Sequence, residues 1–267
     1  MDVHQILLRI KTDFDRTIAT AQFNGNTYTN GNEAKQAVIR SQKIINLIHE
    51  LVKNDFVNCG VPPHMIFPPI EKSNPEIKIK GFLKSKNQDV TIIPKASNVV
   101  LSGTDSIENE KILSVNIRSQ LSSLAKNIDT LYERTFAEAL NLHLSYPRQC
   151  LGEVYLIPTH EYDDKAMLQN QIAYKSVSKI ERYIEMFQAI NNRRDTDKDG
   201  YKYERVCLLI ADFRQTSPKL YESIEELKND GLVAQDSTAT MENLTFNNFA
   251  NDLISVYKDR FGQNSIS

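Results

Sequence analysis

The feature that most constrains this fold is a series of strand-length apolar runs separated by helical patterns. Ile112 to Arg118 (Ile-Leu-Ser-Val-Asn-Ile-Arg), Leu151 to Ile157 (Leu-Gly-Glu-Val-Tyr-Leu-Ile) and Arg205 to Ala211 (Arg-Val-Cys-Leu-Leu-Ile-Ala) each have the length of one strand. Between the first two, Leu121, Leu124, Ile128, Leu131, Phe136 and Leu140 mark a helix over about Ser119 to His143. A second helix is expected from Lys165 to Asn191. A chain that alternates in this way covers a sheet with helices, which defines the α/β class.

Upstream, Ile6, Leu7, Ile10, Phe14 and Ile18 form one face of a helix over Val3 to Ala21. Turn chemistry from Asn24-Gly25-Asn26 to Asn30-Gly31-Asn32 separates it from a long amphipathic helix over Glu33 to Lys53. Val61-Pro62-Pro63 and Pro68-Pro69 predict an extended linker, because proline donates no backbone hydrogen bond and restricts its predecessor. Glu76 to Lys84 alternates as a strand, Lys86-Asn87 turns the chain, and Gln88 to Ile93 is a second strand ended by Pro94. Ser97 to Glu110 is a loop or short excursion before the Ile112 strand, and helices close the chain at Pro218 to Asn229 and Phe246 to Phe261. The core order is helix, three strands, helix, strand, helix, strand. Residues 1–70 are expected to pack as a helical segment and linker on a core formed by residues 71–267.

The chain of 267 residues is long enough for a sizeable core without disulfides or a structural metal. Cys59, Cys150 and Cys207 have no zinc spacing and predict free thiols. The first residues lack a positive region followed by an apolar run, and no stretch is long enough to span a bilayer, so a cytoplasmic protein is expected. Asp195-Thr196-Asp197-Lys198-Asp199-Gly200 opens like a calcium loop, yet its twelfth position is Val206 and a strand follows, so a polar turn is expected. His64, His143 and His160 do not cluster with a serine or cysteine nucleophile, and the nine glycines form no phosphate-binding loop.

The strand and helix order resembles the PD-(D/E)XK nuclease fold, in which a three-strand meander, a helix and a returning strand support a metal site. Ser114-Val115-Asn116-Ile117-Arg118-Ser119-Gln120, the helix from Leu121 to His143, and Leu151-Gly152-Glu153-Val154-Tyr155-Leu156-Ile157-Pro158 resemble a group of type II restriction endonucleases. The resemblance covers about the middle half of the chain. It implies Mg²⁺-dependent, sequence-specific cleavage of duplex DNA that leaves a 5′-phosphate, a homodimer, and a functionally linked methyltransferase.

In the family the first acid lies at one end of the second strand, and Asp89 fits that place; the other reading is a turn aspartate capping the Lys86-Asn87 bend. The third strand should carry acid-x-lysine, but Asn116-Ile117-Arg118 holds those positions. Arginine steadies phosphate charge but stays protonated and cannot act as a base. Some restriction enzymes move the missing acid onto the following helix, where Glu133 is the candidate ligand beside Asp89. Ser122, Lys126, Asp129, Thr130 and Glu133 share a helical stripe, so Lys126 stands in for the strand lysine. A solvated face with ordinary ion pairs would look the same. Glu138 and Glu153 are the reserve acids.

The net charge of −2 provides no global field for DNA, so phosphate binding would need a local basic cleft. Lys78, Lys80, Lys84, Lys86 and Lys95 cluster near Asp89, in a pattern that a solvated strand face would also give. Lys84, Lys86, Asn87, Gln88, Asn116 and Gln120 are the candidate DNA contacts, amides being suited to adenine edges. Two other functions compete: a catalytically inactive DNA-binding or assembly subunit with the same fold, which the Asn116-Ile117-Arg118 departure favours, and an unrelated α/β interaction protein, which the near-neutral charge favours.

Overall fold

The computed structural model describes residues 2–94, 107–177 and 179–266. Helix α1 (Val3–Thr20) starts at a capping box between Asp2 and Gln5 and buries Ile6, Leu7, Ile10, Phe14 and Ile18, as their spacing requires. Strands β1 (Gln22–Phe23) and β2 (Asn26–Thr27) form a tight hairpin around Asn24-Gly25, both at positive φ. The helix expected over Glu33 to Lys53 is two helices, α2 (Gly31–Arg40) and α3 (Lys43–Asn58). They part where Gln42 takes φ +59. Apolar spacing continues through that break, so periodicity alone did not reveal it.

Strand β3 (Ile66–Phe67) lies within the proline-rich stretch read as a linker. Strands β4 (Ile77–Lys80) and β5 (Ser85–Gln88) form a hairpin of their own. Its turn is at residues 81–84, so Lys86-Asn87 lies inside a strand and not at the bend. Asp89 interrupts the ladder, and β6 (Val90–Ile92) enters the main sheet beside β7 (Leu113–Ser119). Most of the segment expected as a loop before that strand, residues 95–106 with Lys95, lies outside the described residues.

Helix α4 (Leu124–His143) and strand β8 (Cys150–Pro158) follow close to expectation. The helix expected over Lys165 to Asn191 is interrupted. Strand β9 (His160–Tyr162) and short helix α5 (Asp164–Leu168) precede β10 (Tyr174–Val177), which pairs with β9, and only α6 (Ile180–Ala189) remains of the long helix. Strand β11 (Arg205–Asp212) is fully buried. Strand β12 (Lys219–Tyr221) takes the first part of the helix expected from Pro218, leaving α7 (Ile224–Asn229), and α8 (Phe249–Phe261) is the last helix.

The fold is mixed α/β, with eight α-helices among the described residues and a six-stranded sheet in the order β12-β11-β8-β7-β6-β3. Strands β7, β8 and β11 are parallel; the outer pairings are antiparallel. The first of the three meander strands is therefore β3, not the Glu76 to Lys84 segment, which forms the separate hairpin. The N-terminal residues thus supply an edge strand as well as helices.

Apolar side chains cover both faces of the sheet. Ile48, Val52, Phe56, Val115, Ile117, Val154 and Leu253 belong to one cluster; Leu124, Ile128, Tyr155, Ile184, Leu208 and Leu227 belong to the other. Among the described residues no helix is long and apolar enough to cross a membrane.

A buried carboxylate joins the two helical layers. Glu204 accepts from the Leu151 amide at 2.7 Å, from Arg193 Nη1 at 3.1 Å and from Arg260 Nη1 at 2.9 Å, with His143 Nε2 at 3.5 Å. Arg193 also donates to the Thr196 and Lys198 carbonyl oxygens. It thereby engages the backbone of the loop whose sequence opens like a calcium site. Burial would raise the Glu204 pKa, but His143, Arg260 and the Leu151 N–H outweigh it and hold it at about 2. A depressed carboxyl pKa contributes stability above the unfolded value that is lost as pH falls through the folded one. The wild type should lose about 3 kcal/mol between about pH 5 and pH 2 from this group. Glu204→Ala should cost roughly 3–5 kcal/mol at neutral pH because it strands two buried arginines. Urea melts of both proteins from neutral pH down to about pH 2 test both.

Candidate functional site

The site lies where strand β6 leaves the main sheet. Val90 pairs with Val115, so Asp89 lies at the level of Asn116, and Asn116 is in register with Glu153 on β8. Asp89 Oδ2 accepts from the Ile117 amide at 2.6 Å, replacing the ladder bond lost as the chain bends into the hairpin. The carboxylate therefore has a structural role as well as an open side. Neighbouring strands place Asn116, Arg118 and Glu153 on the face covered by α4.

Arg118 is the centre of this polar group. Its Nε donates to Glu153 Oε1 at 2.7 Å, and its Nη2 donates to Glu138 Oε2. Glu138 projects from α4, whereas Glu153 is on the sheet, so one guanidinium ties helix to strand. Lys86 Nζ also donates to Glu138 Oε1, and Arg134 Nε lies 3.3 Å from the same oxygen. Three cations thus surround Glu138. Burial would raise its pKa, but Arg118, Lys86 and Arg134 bring it below the ordinary value. Glu153 is fully buried, one of its oxygens has no partner, and its pKa is pushed up to about 8, by burial first and by Glu138 and Asp89 against the opposing Arg118.

Beside this group is an open cleft of about 510 Å³. Asp89, Arg118, Asn116, Lys86 and Arg134 line it, with Asn87, Gln120, Asn127, Thr130 and Tyr155. Of the candidate residues, Asp89, Arg118, Lys86, Asn87, Asn116 and Gln120 are thus brought together. Glu133 is not: it is exposed and outside the cleft lining. Residue 133 is turned about 100° from Arg134 around the helix, and the neighbouring Asp129 pairs with Arg182 on α6. The stripe of α4 that meets the site is Asn127, Thr130 and Arg134 in the cleft lining, with Glu138 on Arg118. The side chain of Lys126 lies outside the described residues. Gln88 is buried, so it cannot meet a base edge, and Lys84 sits at the hairpin tip outside the cleft lining.

Among the described residues, no group of three or more His, Cys, Asp or Glu side chains is placed to hold a metal ion. Mg²⁺ commonly binds through one or two carboxylates with water and phosphate oxygens. Of the three acids here only Asp89 lines the cleft; Glu138 and Glu153 lie behind it on Arg118, and Glu138 raises the pKa of both Asp89 and Glu153. No protein-family model matches the chain, and no significant match was found among curated proteins or solved structures.

Burial is the largest cause of the Asp89 pKa rising to about 6; the Ile117 N–H and Arg118 oppose it, and Glu76 and Glu138 add to it. A raised carboxyl pKa means that stability falls as pH climbs from the unfolded value through the folded one. Asp89→Asn keeps an oxygen for the Ile117 amide and removes the buried charge. It should stabilise the protein by about 2 kcal/mol above about pH 6 and change little below about pH 4. Thermal melts of both proteins at the two pH values provide the test.

Proposed function

We propose that this protein is a nuclease of the restriction-endonuclease type, with a PD-(D/E)XK-like core, that uses Mg²⁺ to cut duplex DNA at the Asp89 cleft. What supports the fold part of this reading is the order of elements: antiparallel β3, β6 and β7, then helix α4, then β8 parallel to β7. The observation that carries the function is one juxtaposition. A buried-edge aspartate at the start of β6 shares a cleft with the β7 guanidinium and the flanking Lys86 and Arg134.

Asp89, together with Glu138 or Glu153, would hold Mg²⁺, which when bound supplies polarisation of the phosphate and a more acidic water. Arg118 stays charged and steadies negative charge on phosphoryl oxygens. Lys86 and Arg134 draw the DNA backbone into the cleft. Asn87, Asn116 and Gln120 present amides for base edges. A twofold dimer matched to a twofold DNA site, and a functionally linked methyltransferase, belong to the same proposal.

A second reading draws support from the ion pairs of Arg118. Because this side chain already neutralises Glu138 and Glu153, the site can bind DNA without cutting it, as a non-catalytic DNA-binding or assembly subunit would.

Incubation with plasmid and Mg²⁺ separates these readings: the first expects linear products with one repeated end sequence. Asp89→Ala should lower cleavage at least about a hundredfold, and Glu138→Gln comparably, whereas Glu133→Ala should stay within about twofold. Intact plasmid with salt-dependent binding would favour the second reading. Normal cleavage by Asp89→Ala would remove this site from the reaction.

A further inference from the structure

The most exposed large apolar side chains among the described residues are adjacent: Phe82 is 62% and Leu83 is 84% solvent-accessible. They occupy the tip of the β4–β5 hairpin. An ordinary loop tip carries small polar residues and moves freely; this one is apolar and pinned. The Phe82 amide donates to the Asn141 carbonyl oxygen at 2.8 Å. Asn141 Oδ1 accepts from the Leu83 and Lys84 amides at 2.8 and 3.1 Å, and its Nδ2 donates to the Lys84 carbonyl at 3.0 Å. Gly81 lets the turn press against α4, since a Cβ there would lie 2.1 Å from Asn141 Nδ2. The fold thus pins the backbone that carries two hydrophobic side chains into water, so a partner meets a turn that is already ordered.

The strand leading to the tip carries charge that bears on the kind of partner. Ile77 and Ile79 face the core, so alternation turns Lys78 and Lys80 outward, followed by Phe82. Across the hairpin Lys78 pairs with Asn87, which lines the cleft. Lys84 is exposed beside Leu83. The outward face is therefore continuous from the cleft to the tip, cationic along its length and apolar at its end. Three residues of strand, about 10 Å, separate Asn87 from Lys84. That is less than the roughly 12 Å width of a major groove, so one duplex can contact both.

We infer that the β4–β5 hairpin is a DNA wedge: Lys78 and Lys84 hold phosphates while Phe82 and Leu83 push against a base step and partly unstack it. Apolar wedges flanked by basic residues kink duplexes in this way. The inference rests on the proposal that the cleft takes duplex DNA, and it adds how that DNA is deformed. A rival occupant of the tip is a second copy of this chain, for which exposed Leu144, the residue that caps α4 three positions beyond Asn141, would add apolar surface.

The test uses the full chain without divalent metal and duplexes carrying 2-aminopurine, whose fluorescence rises on unstacking. Wild type should bind with salt dependence and brighten the probe. The double variant Phe82→Ala, Leu83→Ala should lose the brightening and about tenfold in affinity, with an unchanged salt slope. Lys78→Glu with Lys84→Glu should weaken binding to all sequences and reduce the slope by about 2. Both variants change exposed side chains, so their melting temperatures should match wild type. If wild type binds no duplex, the proposed function fails and the wedge with it. If wild type binds but the apolar double variant matches it in affinity and brightening, the wedge alone is overturned. A double variant that turns a dimer into a monomer on light scattering, with brightening retained, assigns the tip to a second copy and also overturns the wedge.

Discussion

A guanidinium between two carboxylates on different layers is the interaction around which the Asp89 cleft of this protein is organised. Glu153 is on β8, inside the parallel sheet, and Glu138 is on the helix above it; Arg118 on β7 donates to both. Charges taken out of water need partners with good geometry, and a pair left incomplete is far more costly than one never built. The planar fork of arginine serves two acceptors in a way that a lysine ammonium would not. Helix α4 therefore docks at one rotation about its axis, the rotation that brings Glu138 over the end of β7. Apolar packing of Leu124, Ile128 and Leu131 selects the face of the helix, and this ion pair selects the flank.

The rotation of α4 has consequences along its whole length. Arg134, Glu138 and Asn141 recur at three- and four-residue spacing and meet, in turn, the cleft, Lys86 and the hairpin tip. The helix acts as a ruler against which the β4–β5 hairpin is laid. Asp89 marks the point where the hairpin parts from the main sheet, and its carboxylate replaces the missing ladder partner of Ile117. An acid with that duty, kept half-desolvated beside other acids, lowers stability above its folded pKa. Arrangements of this kind are found where function outweighs stability.

Both functional readings share this geometry and divide on what Arg118 does. With its charge spent on two glutamates, it contributes to stability and presents a neutralised floor to the cleft. In the cleaving reading, Mg²⁺ held at Asp89 with Glu138 or Glu153 would supply a competing partner for these carboxylates, and Arg118 would steady the phosphoryl oxygens. The basic rim of Lys86 and Arg134 belongs to either case, because backbone phosphates dominate affinity for nucleic acid whether or not it is cut.

The sequence by itself determined the α/β class, the strands at 112–118, 151–157 and 205–211, the long helix between the first two, and Asp89 and Arg118 as residues of interest. These follow from local periodicity and from charges set in apolar strands, both visible in a few consecutive residues. It did not reveal the break at Gln42, the edge strand at Ile66–Phe67, or the division of the Lys165 to Asn191 segment. The causes are the left-handed backbone of Gln42, the pairing of Ile66–Phe67 with Thr91–Ile92 and the pairing of β10 with β9, none of which leaves a periodic signal in the residues concerned. The sequence put Glu133 first and Glu138 in reserve, with nothing in the local pattern to rank them. Both stand on polar flanks of the same amphipathic helix, and a helical wheel gives the two flanks equal standing. Tertiary structure decided it: α4 crosses from β7 to β8 with one flank towards β5 and β6 and the other towards α6, so Glu138 meets Arg118 while Glu133 stays in water.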